Sequence, residues 1–294
     1  MTKKKGRKGA SLTLLALGGL ILWAWHAYGA KLIADDGIGY PDTDTSAAPS
    51  HESRNGSTPL NEDLMWVRIP ESLTSELIEY PGFMVSFNAA THQPNYVAWE
   101  LTGEEVGSQR TSRRSASFAS DPDVTGCATL DDYRRSGYDR GHMAPAGDMK
   151  WDSTAMRSSF LLTNISPQAH ELNQGCWRAL EEKCRDWAMR DSAIVIVCGP
   201  IFGSSPAQTI GETAVAVPDR YFKVVLAPYT EPPRAIGFVM PNGNVPGGMQ
   251  ACAMSVDEVE AVTGMDFFSA LPDEIEDQVE AECNFPRWSR KKIR

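Results

Sequence analysis

The sequence has no Cys-x-x-Cys pair, no cysteine and histidine set at zinc-finger spacing, and no internal repeat. These absences exclude a structural zinc module and a repeat protein. Basic residues are also few, since 28 lysines and arginines stand against 38 acids and give a formal charge of −10. A wide basic surface that holds nucleic acid is therefore excluded, and any site for a polyanion must be local.

The N terminus departs from this acidic balance. Residues 3–8 carry five basic side chains and no acid, and an apolar run follows from Ala10 to Tyr28. This arrangement predicts a membrane anchor or a cleaved signal peptide within residues 1–30. By the positive-inside rule the remainder would lie outside the cytoplasm. We expect a bacterial periplasm or envelope, with the mitochondrial intermembrane space as the alternative.

The composition changes again after the apolar run. Residues 31–61 are rich in Asp, Ser, Thr, Pro and Gly and contain few large apolar side chains, which predicts a flexible linker. The folded domain is expected over residues 62–294. Its six cysteines are compatible with disulfides in an oxidising compartment, although Cys198 lies in an apolar run typical of a buried thiol.

Strand signals dominate this domain. Aromatic and β-branched residues predict strands at 83–87, 96–101, 193–198, 221–226 and 235–240. A loop is expected from Gly103 to Thr125, and a helix from Val256 to Thr263 between a Ser255 cap and Gly264. The pattern predicts an α+β domain with a mainly antiparallel sheet.

The stretch from Ser136 to Glu181 contains the residues that are capable of chemistry. We predict a strand over residues 138–142, a partner strand over 159–163 and a helix over 172–190. The apolar face of that helix is predicted to consist of Trp177, Leu180, Cys184 and Trp187. Together these elements would bring His142 close to Asn173 and Glu181.

Hydrolysis of a phosphodiester needs a base for water and positive charge on the phosphoryl oxygens, and this stretch supplies residues of both types. His142 suits the first task because the imidazole pKa lies near neutrality. A divalent ion suits the second, and Mg²⁺ binds through few protein oxygens such as that of Asn173. Arg140 adds a bidentate phosphate donor, and Gly141 lets the backbone approach closely.

The residues Asp139-Arg140-Gly141-His142, followed by TNISPQ at 163–168 and LNQGCWRALE at 172–181, resemble the DNA/RNA non-specific endonucleases of the ββα-metal (His-Me finger) type. That family has secreted bacterial and mitochondrial members. The similarity extends from about Phe83 to Pro272. It implies a ββα-metal catalytic core and cleavage of DNA and RNA to 5′-phosphate ends.

The resemblance also implies a role for individual residues. His142 would be the general base, and Asn173 the sole direct protein ligand of Mg²⁺, with Mn²⁺ as an alternative ion. Glu181 would hold metal-bound water, and Arg140 would bind phosphate. A second phosphate-binding arginine is expected upstream, at Arg114 or at the adjacent Arg113. A further family position near the site corresponds to Asn164, and Arg185 is expected to support Glu181.

Other interpretations of the same residues remain open. Asn173 could cap a helix, and Glu181 could pair with Arg185 across one turn. His170 lacks a supporting motif and is expected on the surface. Two alternatives to the nuclease are a membrane-tethered nucleic-acid-binding module without turnover and a phosphodiesterase that acts on another substrate.

Overall fold

The structure is a computed structural model that describes residues 62–108, 110–111, 116–203 and 208–289. The predicted anchor or signal segment, the linker, and the paired Arg113 and Arg114 lie outside these residues. None of the helices in the described ranges is long and apolar enough to cross a membrane.

A seven-stranded antiparallel sheet forms the centre of the fold, in the order β1-β2-β3-β6-β9-β10-β11. Its strands are β1 (Glu76–Tyr80), β2 (Phe83–Asn88), β3 (Gln93–Thr102), β6 (Ala193–Ile201), β9 (Arg220–Ala227), β10 (Arg234–Pro241) and β11 (Ala253–Met254). Two small ribbons accompany it: β4 (Asp139–His142) with β5 (Ile165–Gln168), and β7 (Thr209–Ile210) with β8 (Val215–Ala216). The five strands predicted for the large sheet are confirmed.

Eight α-helices are present in the described residues: α1 (Gly103–Gly107), α2 (Leu130–Tyr133), α3 (Ser153–Ser158), α4 (Arg178–Asp191), α5 (Gly248–Ala251), α6 (Val256–Thr263), α7 (Asp273–Glu280) and α8 (Phe285–Ser289). Residues Glu62–Met65 and Leu162–Asn164 form 3₁₀ turns, and Leu172–Trp177 form a π-helix that runs into α4.

Both faces of the large sheet are covered, which explains why β6 is buried along its whole length. Because side chains alternate along a strand, Trp99 and Ile196 lie on one face and Ala98 and Val195 on the other. The first face packs against the π-helix and α4, and the second packs against α6 and α7. The fold is therefore an α+β sandwich with its sheet in the middle layer.

Helix α6 has the boundaries that the sequence predicts. The Ser255 hydroxyl accepts a hydrogen bond from the Glu258 amide, and the Glu258 carboxylate accepts one from the Ser255 amide. Gly264 ends the helix at φ 69°, in the left-handed region that favours glycine. The capping box formed by Ser255 and Glu258 gives hydrogen-bond partners to two amides that a helix end otherwise leaves without them.

Two predicted segments differ from the structure. The partner of β4 is Ile165–Gln168, because Phe160 and Leu162 bury their side chains in and beside a 3₁₀ turn instead of continuing a strand. The predicted loop after Gly103 begins with α1, which Thr102 and Glu105 stabilise as a capping box. All six cysteines are free thiols.

We expect Gly237→Ala to destabilise the domain, because a Cβ there would lie 2.5 Å from Val259 Cγ2 of α6 and 2.9 Å from the Ser255 oxygen. Overpacking of this kind costs about 1–3 kcal/mol in free energy of unfolding, measurable by urea titration. Gly243→Ala is the matched control because no atom lies within 4 Å of its added Cβ. Equal stability of the two variants would contradict the close packing of α6 on β10.

Candidate active site

Strand β4 carries the Asp-Arg-Gly-His sequence and pairs with β5, so that Gly141 lies opposite Ser166 and His142 opposite Ile165. The buried side chain of Gln168 crosses the backbone at Gly141. A Cβ at that position would overlap the Gln168 amide well inside van der Waals contact. Glycine is therefore needed here for close approach, and it fixes β4 against β5.

Asn173 lies on the π-helix, not at the start of a regular α-helix. Gly175, at φ −101° and ψ −110°, interrupts the helical geometry before α4 begins. The single helix predicted over residues 172–190 is therefore a π-turn followed by α4. Its predicted apolar face is buried as expected. π-turns are rare and occur frequently at functional sites.

Two hydrogen bonds join β4 to the π-helix. Asn173 Nδ2 donates to Asp139 Oδ2 at 2.8 Å, and Trp177 Nε1 donates to the His142 carbonyl oxygen at 3.2 Å. The bonds engage the first and last residues of β4. As a result, the strand that carries His142 and the turn that carries Asn173 are held side by side.

The bond to Asp139 also orients the Asn173 amide. Because the NH₂ group faces a carboxylate, the carbonyl oxygen is the atom that remains for a ligand. Asp139 Oδ2 also contacts His170 Nδ1 at 3.0 Å. His170 is 72% exposed, as predicted for a surface residue, yet it shares a carboxylate with Asn173. Its position three residues before Asn173 is the one signal the sequence offers for this contact.

Two phenylalanines enclose the His142 ring. The ring centroids of Phe118 and Phe160 lie 5.2 and 5.0 Å from that of His142, and Phe160 meets it edge to face at 88°. The guanidinium carbon of Arg140 lies 4.4 Å from the Phe118 centroid. Phe118 thus contacts both candidate side chains, a contact that the sequence does not predict.

Asn164 supports the backbone that follows His142. Its amide donates to the oxygens of Ala144 (2.9 Å) and Ser159 (2.8 Å) and accepts from the Ala144 amide (2.9 Å). The Asn164 carbonyl accepts from the Met143 amide at 3.0 Å. The side chain is fully buried, so it acts on the site through the position of this loop.

Glu181 lies in the first turn of α4, one turn past the π-helix. Some of its surface is accessible, but protein atoms enclose the carboxyl group, and this burial raises its pKa to about 8. Lys223 lowers that pKa, Asp148 raises it, and Arg185 lowers it. An ionised Glu181 at neutral pH therefore requires additional positive charge nearby.

Arg185 does not form the expected pair with Glu181. Its Nη1 donates to Asp148 Oδ1 at 2.7 Å, and the other Asp148 oxygen accepts from Trp99 Nε1 at 3.2 Å. Asp148 is completely buried, and its ion pair with Arg185 compensates the cost of burying its charge. Arg185 influences Glu181 through its charge alone.

A buried lysine lies beneath these groups. Lys223 is 1% exposed, and its Nζ lies 4.4 Å from the ring centroid of Trp177 and 5.0 Å from that of Trp99. Burial lowers its pKa, but Cys198, Cys184 and the acids Glu181 and Asp148 raise it and prevail. The ammonium therefore stays charged under the indole that holds the His142 carbonyl. A lysine inside an apolar strand was the sequence signal that the prediction overlooked.

The structure thus places Asn173 against Asp139 and the His142 backbone against Trp177 of the same helical turn, with Arg140 exposed on β4 and Glu181 on the adjoining helix. The upstream arginine, Arg114 or Arg113, lies outside the described residues. Oxygen donors, an imidazole and a guanidinium around one strand and one helix are suited to charge stabilisation at a phosphate.

Comparison with known proteins adds an independent finding. A sequence model described as DNA/RNA non-specific endonuclease matches residues 60–274. The mitochondrial Nuclease 1 of Schizosaccharomyces pombe is 32% identical over 223 residues, which cover 69% of each chain. The mitochondrial nuclease EXOG of Danio rerio is 35% identical over 219 residues, and that of Homo sapiens 34% over 209. These alignments cover 69% and 65% of this chain but only 63% and 56% of the two EXOG proteins.

Among solved structures, a chain from the crystal structure of the EndoG/EndoGI complex matches with a TM-score of 0.64 and 26% identity. The match covers 67% of this chain and 87% of that one. It confirms the predicted α+β fold class with its ββα-metal core.

Removal of the Asn164 side chain should destabilise the domain and lower its activity together. Asn164→Ala breaks three buried hydrogen bonds and is expected to cost about 2–4 kcal/mol in free energy of unfolding. Asn164→Asp keeps the shape but turns an acceptor toward two carbonyl oxygens, so it should also destabilise. The exposed Asn244→Ala is the control. Full stability of Asn164→Ala in urea titration would contradict this role.

Proposed function

We propose a reaction on the premise that the chain belongs to the DNA/RNA non-specific endonuclease family and is an endonuclease of that class. In this proposal it hydrolyses DNA and RNA phosphodiesters to 5′-phosphate ends, with His142 as general base and a divalent cation held by Asn173. The observation that carries the proposal is the pair of hydrogen bonds through Asp139 and Trp177, which keep the strand of His142 beside the turn of Asn173.

In this proposal His142 takes a proton from the attacking water. An imidazole suits the step because a useful fraction is unprotonated at neutral pH. The contacts of its ring with Phe118 and Phe160 limit its rotation, and the Trp177 indole fixes its backbone. The base is therefore oriented before substrate arrives, which lowers the entropic cost of the reaction.

The donor chemistry fits a divalent cation, and the family is one of metal-dependent nucleases. Asn173 offers a neutral carbonyl oxygen, and Glu181 would reach the ion through water. The raised pKa of Glu181 supports this, because its enclosed carboxyl needs a cation to ionise. When bound, the ion supplies Lewis-acid stabilisation of the phosphoryl oxygens and of the leaving 3′ oxygen. We propose Mg²⁺, with Mn²⁺ as the alternative, because such ions use few protein ligands.

Arg140 is the proposed phosphate donor. Its guanidinium is exposed and lies over the Phe118 ring, which keeps the planar fork in a limited set of orientations. Arg114, or the adjacent Arg113, is proposed as the second donor. Contacts to phosphate and sugar carry little sequence information, so cleavage should show weak sequence preference. Because the chain has a net charge of −10, its contact with the polyanion should be short and local.

The proposed location is a mitochondrial compartment. The relatives from Schizosaccharomyces pombe, Homo sapiens and Saccharomyces cerevisiae are named as mitochondrial nucleases. A basic N-terminal segment that lacks acids fits transport out of the cytosol. No comparison supports a bacterial periplasm, and no observation on the described residues supports attachment to a membrane.

We expect His142→Ala to lower the rate of plasmid DNA and RNA cleavage by at least a hundredfold, the usual loss for a general base. His92→Asn is the control, because asparagine tolerates the positive φ of that position. An undiminished rate for His142→Ala would refute the assignment. If the unmodified chain binds DNA and RNA in the presence of Mg²⁺ but does not cleave them, the result would favour a nucleic-acid-binding module without turnover.

The proposed role of Asn173 as a metal ligand can be tested separately from the proposed role of His142 as the general base. Asn173→Ala should raise the Mg²⁺ concentration for half-maximal activity by at least tenfold, because the protein ligand is lost. Asp139→Asn, which replaces the charged acceptor that orients Asn173 by a neutral amide, should raise it less. His142→Ala should leave that midpoint unchanged in its residual activity. An unchanged Mg²⁺ midpoint for Asn173→Ala would remove the basis for the proposed ligand.

A further inference from the structure

A second group of oxygen ligands lies on the sheet face opposite His142 and Asn173. Asp257 and Glu260 share one side of α6, and Glu280 is the last residue of α7. One carboxylate oxygen from each lies within 4.8 Å of the other two. Helices α6 and α7 pack on the face formed by Ala98 and Val195, so this group is separate from the candidate active site.

Glu280 is the unusual member of the group. It is only 4% exposed, and its Oε1 has no hydrogen-bond partner among the described residues. Burial, together with the carboxylates of Glu260, Glu276, Asp257 and Asp266, raises its pKa to about 9. An ionised carboxylate in this position is unfavourable unless a cation compensates its charge.

The two helices supply no compensating charge. Their sequences, VDEVEAVT and DEIEDQVE, contain acids but no lysine or arginine. Glu280 also lies at the negative end of the α7 dipole, which disfavours a carboxylate there. The nearby Arg68 pairs with Asp266 at 3.1 Å, and both side chains are exposed. A positive charge that would allow Glu280 to ionise must therefore come from outside the two helices.

We propose that Asp257, Glu260 and Glu280 bind a divalent cation of the calcium type, at a site distinct from the one proposed for the nuclease reaction. Three carboxylates and several waters match the six to eight oxygens that Ca²⁺ takes. Oxygens on opposite sides of Ca²⁺ are separated by roughly 4.8 Å, twice the ligand distance of about 2.4 Å. Glu260 Oε1 accepts a hydrogen bond from the Phe267 amide at 2.8 Å, which leaves Oε2 for the ion.

Such an ion would stabilise the fold rather than take part in chemistry. Val256, Val259 and Val279 anchor the two helices in the same apolar core, and the ion would join their charged edges. Because the unfolded chain lacks this arrangement, binding shifts the equilibrium toward the native state. Calcium should therefore raise the thermal stability of the protein whether or not it supports cleavage.

The test uses the full chain carrying Asn173→Ala, which removes the ligand proposed for the other ion. After treatment with EDTA, calorimetric titration with CaCl₂ at pH 7 should reveal one site. Calcium at a hundredfold excess over its Kd should raise Tm by roughly 5–10 °C. Adding Glu280→Gln should abolish both the binding and the shift, and should raise Tm in EDTA because it removes a buried acid.

Glu276→Gln, in the same Asn173→Ala chain, is the matched control. It removes a neighbouring charge that acts on Glu280 but leaves the three ligands intact, so binding of one calcium should persist. Absence of a calcium response in the parent, or an equal response in the Glu280→Gln variant, would overturn the proposal. Neither result bears on the nuclease assignment, because the readouts are binding and Tm.

Discussion

The candidate site depends on the attachment of one short strand to one irregular turn of helix. The bond from Asn173 to Asp139 and the bond from Trp177 to the His142 carbonyl fasten β4 at both ends. β5 holds its other edge, where Gly141 admits the Gln168 side chain. A four-residue ribbon has little stability of its own. Its geometry is therefore imposed by these contacts.

A buried set of charged residues supports β4 and the π-helix. Asp148 binds Arg185 and Trp99, and Lys223 lies against the rings of Trp99 and Trp177. Asp148 and Arg185 compensate each other, so loss of either one leaves an uncompensated buried charge. The site is thus coupled to the central sheet through Trp177, which contacts both Lys223 and the His142 backbone.

The parts that sequence predicted well depend on local patterns. The apolar run from Ala193 to Cys198 indicates a buried strand, and Ser255 with Gly264 marks both ends of α6. The misses depend on contacts that are distant in sequence. Burial of Phe160 and Leu162 replaces a predicted strand, and the Asp139–Asn173 bond spans 34 positions. The π-turn at Asn173 requires Gly175 in an unusual conformation that no periodicity encodes.

The two proposed cation sites differ in the charge that their ligands leave to the ion. At the nuclease site a neutral amide from Asn173 is the proposed direct ligand, so nearly the whole positive charge is available to a phosphate. At the second site three carboxylates exceed the charge of a divalent ion, so nothing remains to attract an anion. The ligand chemistry therefore suits the first proposed site to reaction and the second to stabilisation. Their positions on opposite faces of the sheet allow each to be altered alone.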